Sequence, residues 1–277
     1  MVTIVTDSTA DISPELINKF HVQVVPLGVS IANQEYQDGV NLSTAQLFEL
    51  IETNNQLPQT AAPSIGHFLE VFSQPGEFFY TGLSSALSAT FQNASLAAKE
   101  LPENKVTLVD SLNLSTGIGL LVCKAAELSS QGLSNSEIAA EISRTVPKVR
   151  TSFVIETMDY LYKGGRCSSL QHLVGSLLKI RPIIEVNSQG KMGVKDKSRG
   201  TRKKALDSML LDLENHLSEL DRHRIFITHT GCDEDAGYLA EEIHKLCAPD
   251  EINITTAGAV IASHCGPDTI GVLYLVN

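Results

Sequence analysis

VTIVTDSTAD, residues 2–11, begins as a short apolar strand and ends in small polar residues. A helix is expected just beyond it, from Ser13, with Pro14 in the first helical position, where a missing N–H costs nothing. The same succession of strand, small polar loop and helix recurs at FFYTGLSS (78–85) and VTLVDS (106–111). Such alternation predicts an α/β fold with a mainly parallel sheet. In open sheets of this kind the loops at the carboxyl ends of the strands converge on one edge, where ligands bind. Here those loops are Thr6-Asp7-Ser8, Gly82 to Ser88 and Asp110-Ser111. They contain neither G-x-G-x-x-G nor a Gly-Lys-Ser phosphate loop, so neither familiar nucleotide site has support.

Between these units, VQVVPLGVSI (22–31) reads as extended, QEYQDG (34–39) as its return or a loop, and STAQLFELIETN (43–54) as a helix capped by Ser43. A helix-rich stretch at 115–149 leads into TSFVIET (151–157), a plausible crossing into a second lobe. Beyond it the pattern predicts a helix over 169–179, the hairpin RPIIEVNSQGKMGVKDK (181–197), a helix over 201–220, the strand RIFITHT (224–230), a helix over 233–247 and terminal strands. The expected organisation is an N-terminal α/β lobe over 1–150 and a C-terminal α+β lobe with antiparallel pairing over 151–277.

A chain of 277 residues with 43% hydrophobic and 19% charged residues is ordinary for a globular protein with ample core. No apolar run approaches the length of a membrane span, and the N-terminus does not read as a signal peptide, so cytoplasm is the expected location. The five cysteines, Cys123, Cys167, Cys232, Cys247 and Cys265, are dispersed without metal-ligand spacing and read as reduced thiols. No metal site is expected. The net charge of −11 argues against nucleic-acid binding. Against that background KMGVKDKSRGTRKK, residues 191–204, carries seven Lys/Arg and one Asp. It reads either as a solvated hairpin and helix start or as a docking surface for an acidic partner or phosphate.

Several stretches hold polar groups suited to chemistry or binding. LPQTAAPS (57–64) places Thr60 and Ser64 in a loop before a helix, where hydroxyls either cap the helix or receive an anion. GLSSALSAT (82–90) offers Ser84, Ser85, Ser88 and Thr90 at another strand-to-helix junction. It is not G-x-S-x-G and has no neighbouring base, so hydroxyls holding an anion fit better than a nucleophile. In YLYKGGRCSS (160–169), Lys163 and Arg166 flank two glycines whose N–H groups can form an anion nest; a plain turn is the alternative. His264 and Cys265 invite a thiol-catalysis reading. Neighbours in sequence rarely point at one another, however, and nothing ties His229 or His67 to Cys265 as a base.

Together, TDSTAD, the Thr60/Ser64 loop, LSATF, VDSLNLSTGIG, LYKGGRCS, LLKIRPII and SHCGPDTIGV resemble the DegV family in an order that covers nearly the whole chain. The resemblance implies two α/β lobes enclosing a long apolar tunnel. It also implies binding of a long-chain fatty acid whose carboxylate is presented to a separate fatty acid kinase, giving an acyl phosphate for phospholipid synthesis. On this reading Thr60, Ser88 and His264 hold the carboxylate, with Ser64, Ala89 and Cys265 as further ligand contacts. Lys163 and Arg166, with Arg199 and Arg202 of the basic segment, would dock the partner or a phosphate. The protein would be a lipid carrier with no cofactor beyond its bound fatty acid. TAAPS stands where TSQPS is usual in the family, LSATF where LSGTY is usual, and a cysteine follows Arg166 where an aliphatic residue is common. A Cys- or Ser-dependent acyl hydrolase or transferase, and an apolar-ligand sensor without a kinase partner, are the alternatives.

Overall fold

The computed structural model describes residues 1–166 and 180–277. The predicted helix over 169–179 and Cys167 lie outside the described residues. A first sheet has the order β2 (Gln23–Val25), β1 (Thr3–Asp7), β6 (Phe78–Tyr80), β7 (Val106–Leu108), and every neighbouring pair is parallel. The helices α1 (Pro14–Phe20), α3 (Ile65–Phe72) and α4 (Thr90–Lys99) connect or cover these strands. Ser13 caps α1, with Pro14 directly following, as its sequence predicts. Phe68 and Phe72 of α3 pack on Phe78 and Tyr80 of β6 in one aromatic cluster.

A second sheet has the order β10 (Met192–Arg199), β9 (Ile180–Val186), β8 (Val149–Val154), β13 (Ile270–Val276), β11 (Leu220–His229), β12 (Glu251–Thr256). All its pairings are antiparallel except β11 with β12. Alternation along β11 sends Ile225 and Ile227 to the outer face, which α8 (Arg202–Asn215) and α9 (Asp233–Cys247) cover, and Phe226 to the inner face. Between the two sheets runs α5 (Thr116–Ser130), whose residues are nearly all buried, as a helix lying between two apolar surfaces requires. It is followed by α6 (Asn135–Thr145). One hydrophobic cluster extends from Val2 to Leu275, so the core is continuous across residue 150.

Four local findings refine or depart from expectation. The stretch 22–31 is not one strand: Pro26 separates β2 from β3 (Gly28–Ile31), and the two belong to different sheets. The expected loop at 57–64 contains β5 (Gln59–Ala61), which joins β3 and β4 (Gln34–Gln37) in a small antiparallel sheet. The apolar segment before Gly266 is a helix, α10 (Ala259–Cys265), rather than a strand. It is apolar on nearly every side, and a short buried run carries no periodicity to distinguish the two. The helix predicted over 201–220 stops at Asn215 because Leu220 already pairs with Val276 in the sheet.

The β9–β10 hairpin crosses back toward the first sheet. In its turn the Asn187 side-chain oxygen accepts from Gln189 N–H at 2.9 Å and Lys191 N–H at 3.1 Å. Gly190 sits at φ +72°, and a Cβ there would lie 2.2 Å from Ser84 Oγ. Ser84 instead donates to the Gly190 carbonyl at 2.9 Å, fastening the tip to the loop after β6.

Candidate functional site

The carboxyl-edge loops of the first sheet are bonded into one unit. Asp7, buried at the end of β1, accepts from Tyr80 Oη and from Leu83 N–H, each at 2.8 Å. Ser111 donates to the Gly82 carbonyl at 2.6 Å, and Ser84 N–H donates to the Asn113 carbonyl at 2.9 Å. This framework sets Leu83, Leu87 and Ser88 along one wall of a cavity with about 540 Å³ of space. Leu27, Leu114, Leu161, Val260 and Ile261 make much of the remaining lining apolar.

The polar groups come from four separate segments. Thr60 stands on β5, registered opposite Val29 of β3. Its hydroxyl forms a 2.8 Å hydrogen bond with His264 Nε2, across 204 residues of sequence. Ser88, in the loop before α4, bonds Thr90 Oγ1 at 2.8 Å and accepts from Thr90 N–H at 3.3 Å. Arg166 follows α7 (Asp159–Lys163); it is exposed and donates to the Gly164 carbonyl at 2.7 Å. Thr60, Ser88, Arg166, His264 and Cys265 thus line one cavity.

His264 is carried by α10, and the N-terminus of that helix is held by two carboxylates. Gly258 N–H donates to Asp11 Oδ1 at 2.8 Å, and Ala259 N–H donates to Asp38 Oδ1 at 2.6 Å. No cation accompanies them among the described residues lining that pair, and burial raises both: Asp11 well above the usual carboxylate range, Asp38 to about 6. At the other end of the helix, burial, aided by the Arg166 guanidinium, lowers His264 to about 4, so the imidazole is neutral at pH 7. Its Nδ1 is shut off from solvent, with no hydrogen-bond partner among the described residues. Gly164 lies against it so closely that a Cβ there would sit 2.4 Å from Nδ1.

Cys265 diverges from His264 by about 100° around the helix. Its thiol is buried and pushed up to about 12, which keeps it protonated at neutral pH. Ser64 lies outside the cavity: it caps α3 by accepting from His67 N–H at 3.3 Å and faces a surface groove. Ala89 is exposed and does not line the cavity. Lys163 and Arg199 are exposed, whereas Arg202 is engaged by Asp235 and by Glu156 at 3.3 Å. In the basic segment, Lys195 pairs with Asp212 at 2.6 Å and Lys203 with Asp207 at 3.2 Å. Lys191, Lys197, Arg199 and Lys204 remain exposed on or beside the edge strand β10. Charge there also discourages pairing with another sheet. Asp11, Asp38 and Gly164 were not legible from the sequence as supports of the site; Asp11 could be noticed only as part of TDSTAD.

Among the described residues, no helix is long and apolar enough to cross a membrane. No group of three or more His, Cys, Asp or Glu among them is arranged to hold a metal ion.

Comparison with known proteins gives a consistent result. The model of the DegV family, described as uncharacterised protein, matches residues 1–277. A DegV domain-containing protein of Caldanaerobacter subterraneus is 32% identical over 277 residues, covering 99% of this chain and 98% of that protein. Among solved structures, a fatty-acid-binding DegV family protein from Thermus thermophilus superposes with a TM-score of 0.93 at 30% identity, covering 100% of this chain and 99% of that one. The Fatty Acid Kinase (Fak) B3 protein of Streptococcus pneumoniae, loaded with linoleic acid, superposes with a TM-score of 0.88 at 25% identity, with both chains fully covered.

Proposed function

Because the chain belongs to the DegV family, we propose that it binds a long-chain fatty acid with the carboxylate at Thr60, Ser88 and His264, and presents that carboxylate to a separate fatty acid kinase. The observation that carries this reading is the Thr60–His264 hydrogen bond in a largely apolar cavity that Ser88 also lines. Burying an acyl chain of about fourteen methylenes at about 0.8 kcal/mol each is worth roughly 10 kcal/mol gross, from which association and ordering costs are subtracted. A buried carboxylate needs hydrogen-bond donors. The two hydroxyls supply them, and the imidazole gains a proton more readily once an anion lies beside it. Exposed Arg166 at the cavity mouth, with Lys163 nearby, then faces the partner or the phosphate being transferred. The protein is a carrier in this scheme, and the chemistry belongs to the kinase.

Extraction of the purified protein with organic solvent, followed by mass spectrometry, tests the ligand. Fatty acid at about one per chain is the expected result; its absence, together with no uptake of added fatty acid, overturns the reading. Co-purification of a kinase distinguishes a kinase subunit from a sensor that binds the same ligand.

A further inference from the structure

Where the chain takes a positive φ at a helix end, at Asp11, His21, Asn55 and Ala248, ψ lies between 26° and 63°. That is the left-handed region, which single residues visit at modest cost. Ser115, at the start of α5, is different. Its φ of +50° is combined with a ψ of −146°, a conformation that a Cβ opposes and that glycine adopts freely. The residue is buried, and its hydroxyl does not cap the helix. Instead the hydroxyl donates to Asp11 Oδ2 at 2.6 Å, across 104 residues of sequence.

The surroundings hold this conformation in place. Thr116 Oγ1 is bonded to Thr228 Oγ1 of β11 at 2.6 Å. Gly119, one turn on, lies so near Ile12 and the Ala10 carbonyl that a Cβ would sit 2.8 and 3.1 Å from them. The start of α5 is thus fixed on two sides, and a glycine at 115 would take the same turn without strain. What serine adds there is one hydroxyl proton, and Asp11 receives it. Asp11 passes the constraint on, because its Oδ1 accepts from Gly258 N–H at the start of α10. Asp38 holds the next N–H, that of Ala259. Two anchors on successive N–H groups set the rotation of the helix about its axis as well as its position. The rod they hold has seven residues, about 10 Å, and His264 in its last turn meets Thr60 at 2.8 Å. Without the Ser115 hydroxyl the Asp11 carboxylate can turn, one anchor loosens, and the Thr60–His264 alignment goes with it.

We propose that Ser115 is a positioning residue for the fatty-acid carboxylate: its hydroxyl, retained despite a strained backbone, orients Asp11 and, through α10, sets His264 against Thr60 and the head group. The inference rests on the fatty-acid reading above and adds to it a residue that does not line the cavity. Two variants of the full chain test it. Ser115→Ala removes the hydroxyl and keeps the strain, whereas Ser115→Gly removes both, so the glycine variant is expected to melt above the alanine variant. Both are expected to bind stearate ~3- to 10-fold more weakly than the parent, as read by displacement of a fluorescent fatty acid. In the ligand-free protein the His264 side-chain 15N resonances, assigned with His264→Asn, should move from their parent positions in both variants. A residue that served stability alone would let affinity and the His264 signals recover with the melting temperature in Ser115→Gly. That recovery, parent-like affinity in Ser115→Ala, or a glycine variant that melts below the alanine one overturns the proposal and leaves the fatty-acid reading standing. If Ser115→Ala does not fold, Ser115→Gly decides through affinity and the His264 signals. Failure of the parent to bind either fatty acid overturns the fatty-acid reading, and the role of Ser115 falls with it.

Discussion

Thr60 and Ser88 each present a hydroxyl from a different wall of the cavity, and a hydrogen bond to an ionised carboxylate is worth about 1.5–3 kcal/mol. Thr60→Val or Ser88→Ala is therefore expected to weaken fatty-acid binding by roughly 10- to 100-fold, with little change in thermal stability, as read by ligand competition and a melting curve. Unchanged affinity in both variants would remove the head-group assignment. The two residues were visible in the sequence as hydroxyls at strand-to-helix junctions, which says that an anion could be held but not which hydroxyl faces inward. Ser64 and Thr60 sit only four residues apart, yet the Ser64 side chain is spent on a helix cap while Thr60 reaches His264. Sequence spacing carries no information about that choice, because the strand β5 that orients Thr60 forms only by pairing with β3, some thirty residues away.

At the scale of elements, the close approach of α7 to α10 shapes the site. Two glycines permit it: Gly164 against the imidazole, and Gly266, where a Cβ would meet the Tyr160 ring at 2.6 Å. Gly164→Ala forces either the imidazole or α7 to move, and overpacking of this kind costs about 1–3 kcal/mol. The variant is expected to melt earlier and to lose fatty-acid retention. Gly165→Ala, where space is open but φ is +72°, should lose stability while retaining the ligand. Equal retention by both variants would sink the claim that α7 positions His264. None of this could be read from KGGR by itself, since an anion nest and a plain turn require the same glycines. Elements with strong local signals were legible, as with Ser43 and its reciprocal capping partner Gln46 at the start of α2 (Thr44–Asn54) and the helix over 233–247. The buried helix α10 was not, for lack of a polar face.

Across the whole molecule, two buried groups at opposite ends of α10 pull the pH dependence of stability in opposite directions. Asp38 holds its proton more tightly when folded, about 6 against 3.8. Its contribution is present at low pH and is lost as pH rises through that interval, by about 3 kcal/mol. Asp7 and Asp11, also raised, add to the same trend. His264 is lowered from 6.5 to about 4, so its contribution is present above that range and is lost as pH falls through it, again by about 3 kcal/mol. Relative to the parent, His264→Asn should make stability fall more steeply between pH 4 and 6.5, and Asp38→Asn should make it rise more steeply. Denaturant titrations at several pH values measure both slopes; three parallel curves would refute the pairing. Such a balance depends on burial across the continuous core, and burial of a particular carboxylate is a property of the assembled fold that composition does not reveal.

The β9–β10 hairpin acts as a fixed ruler laid across the molecule. One end is set by pairing with β8, and the other by the Gly190 carbonyl resting on Ser84. A strand advances about 3.4 Å per residue, so lengthening both arms by two residues would preserve inward and outward alternation yet carry the tip about 7 Å past its anchor. Ser84 would lose its acceptor, and the loop that presents Ser88 would lose its fastening. Tolerance to insertion at this exposed turn is thus set by the distance between two sheets, and a length change at a surface tip becomes a change at a buried cavity.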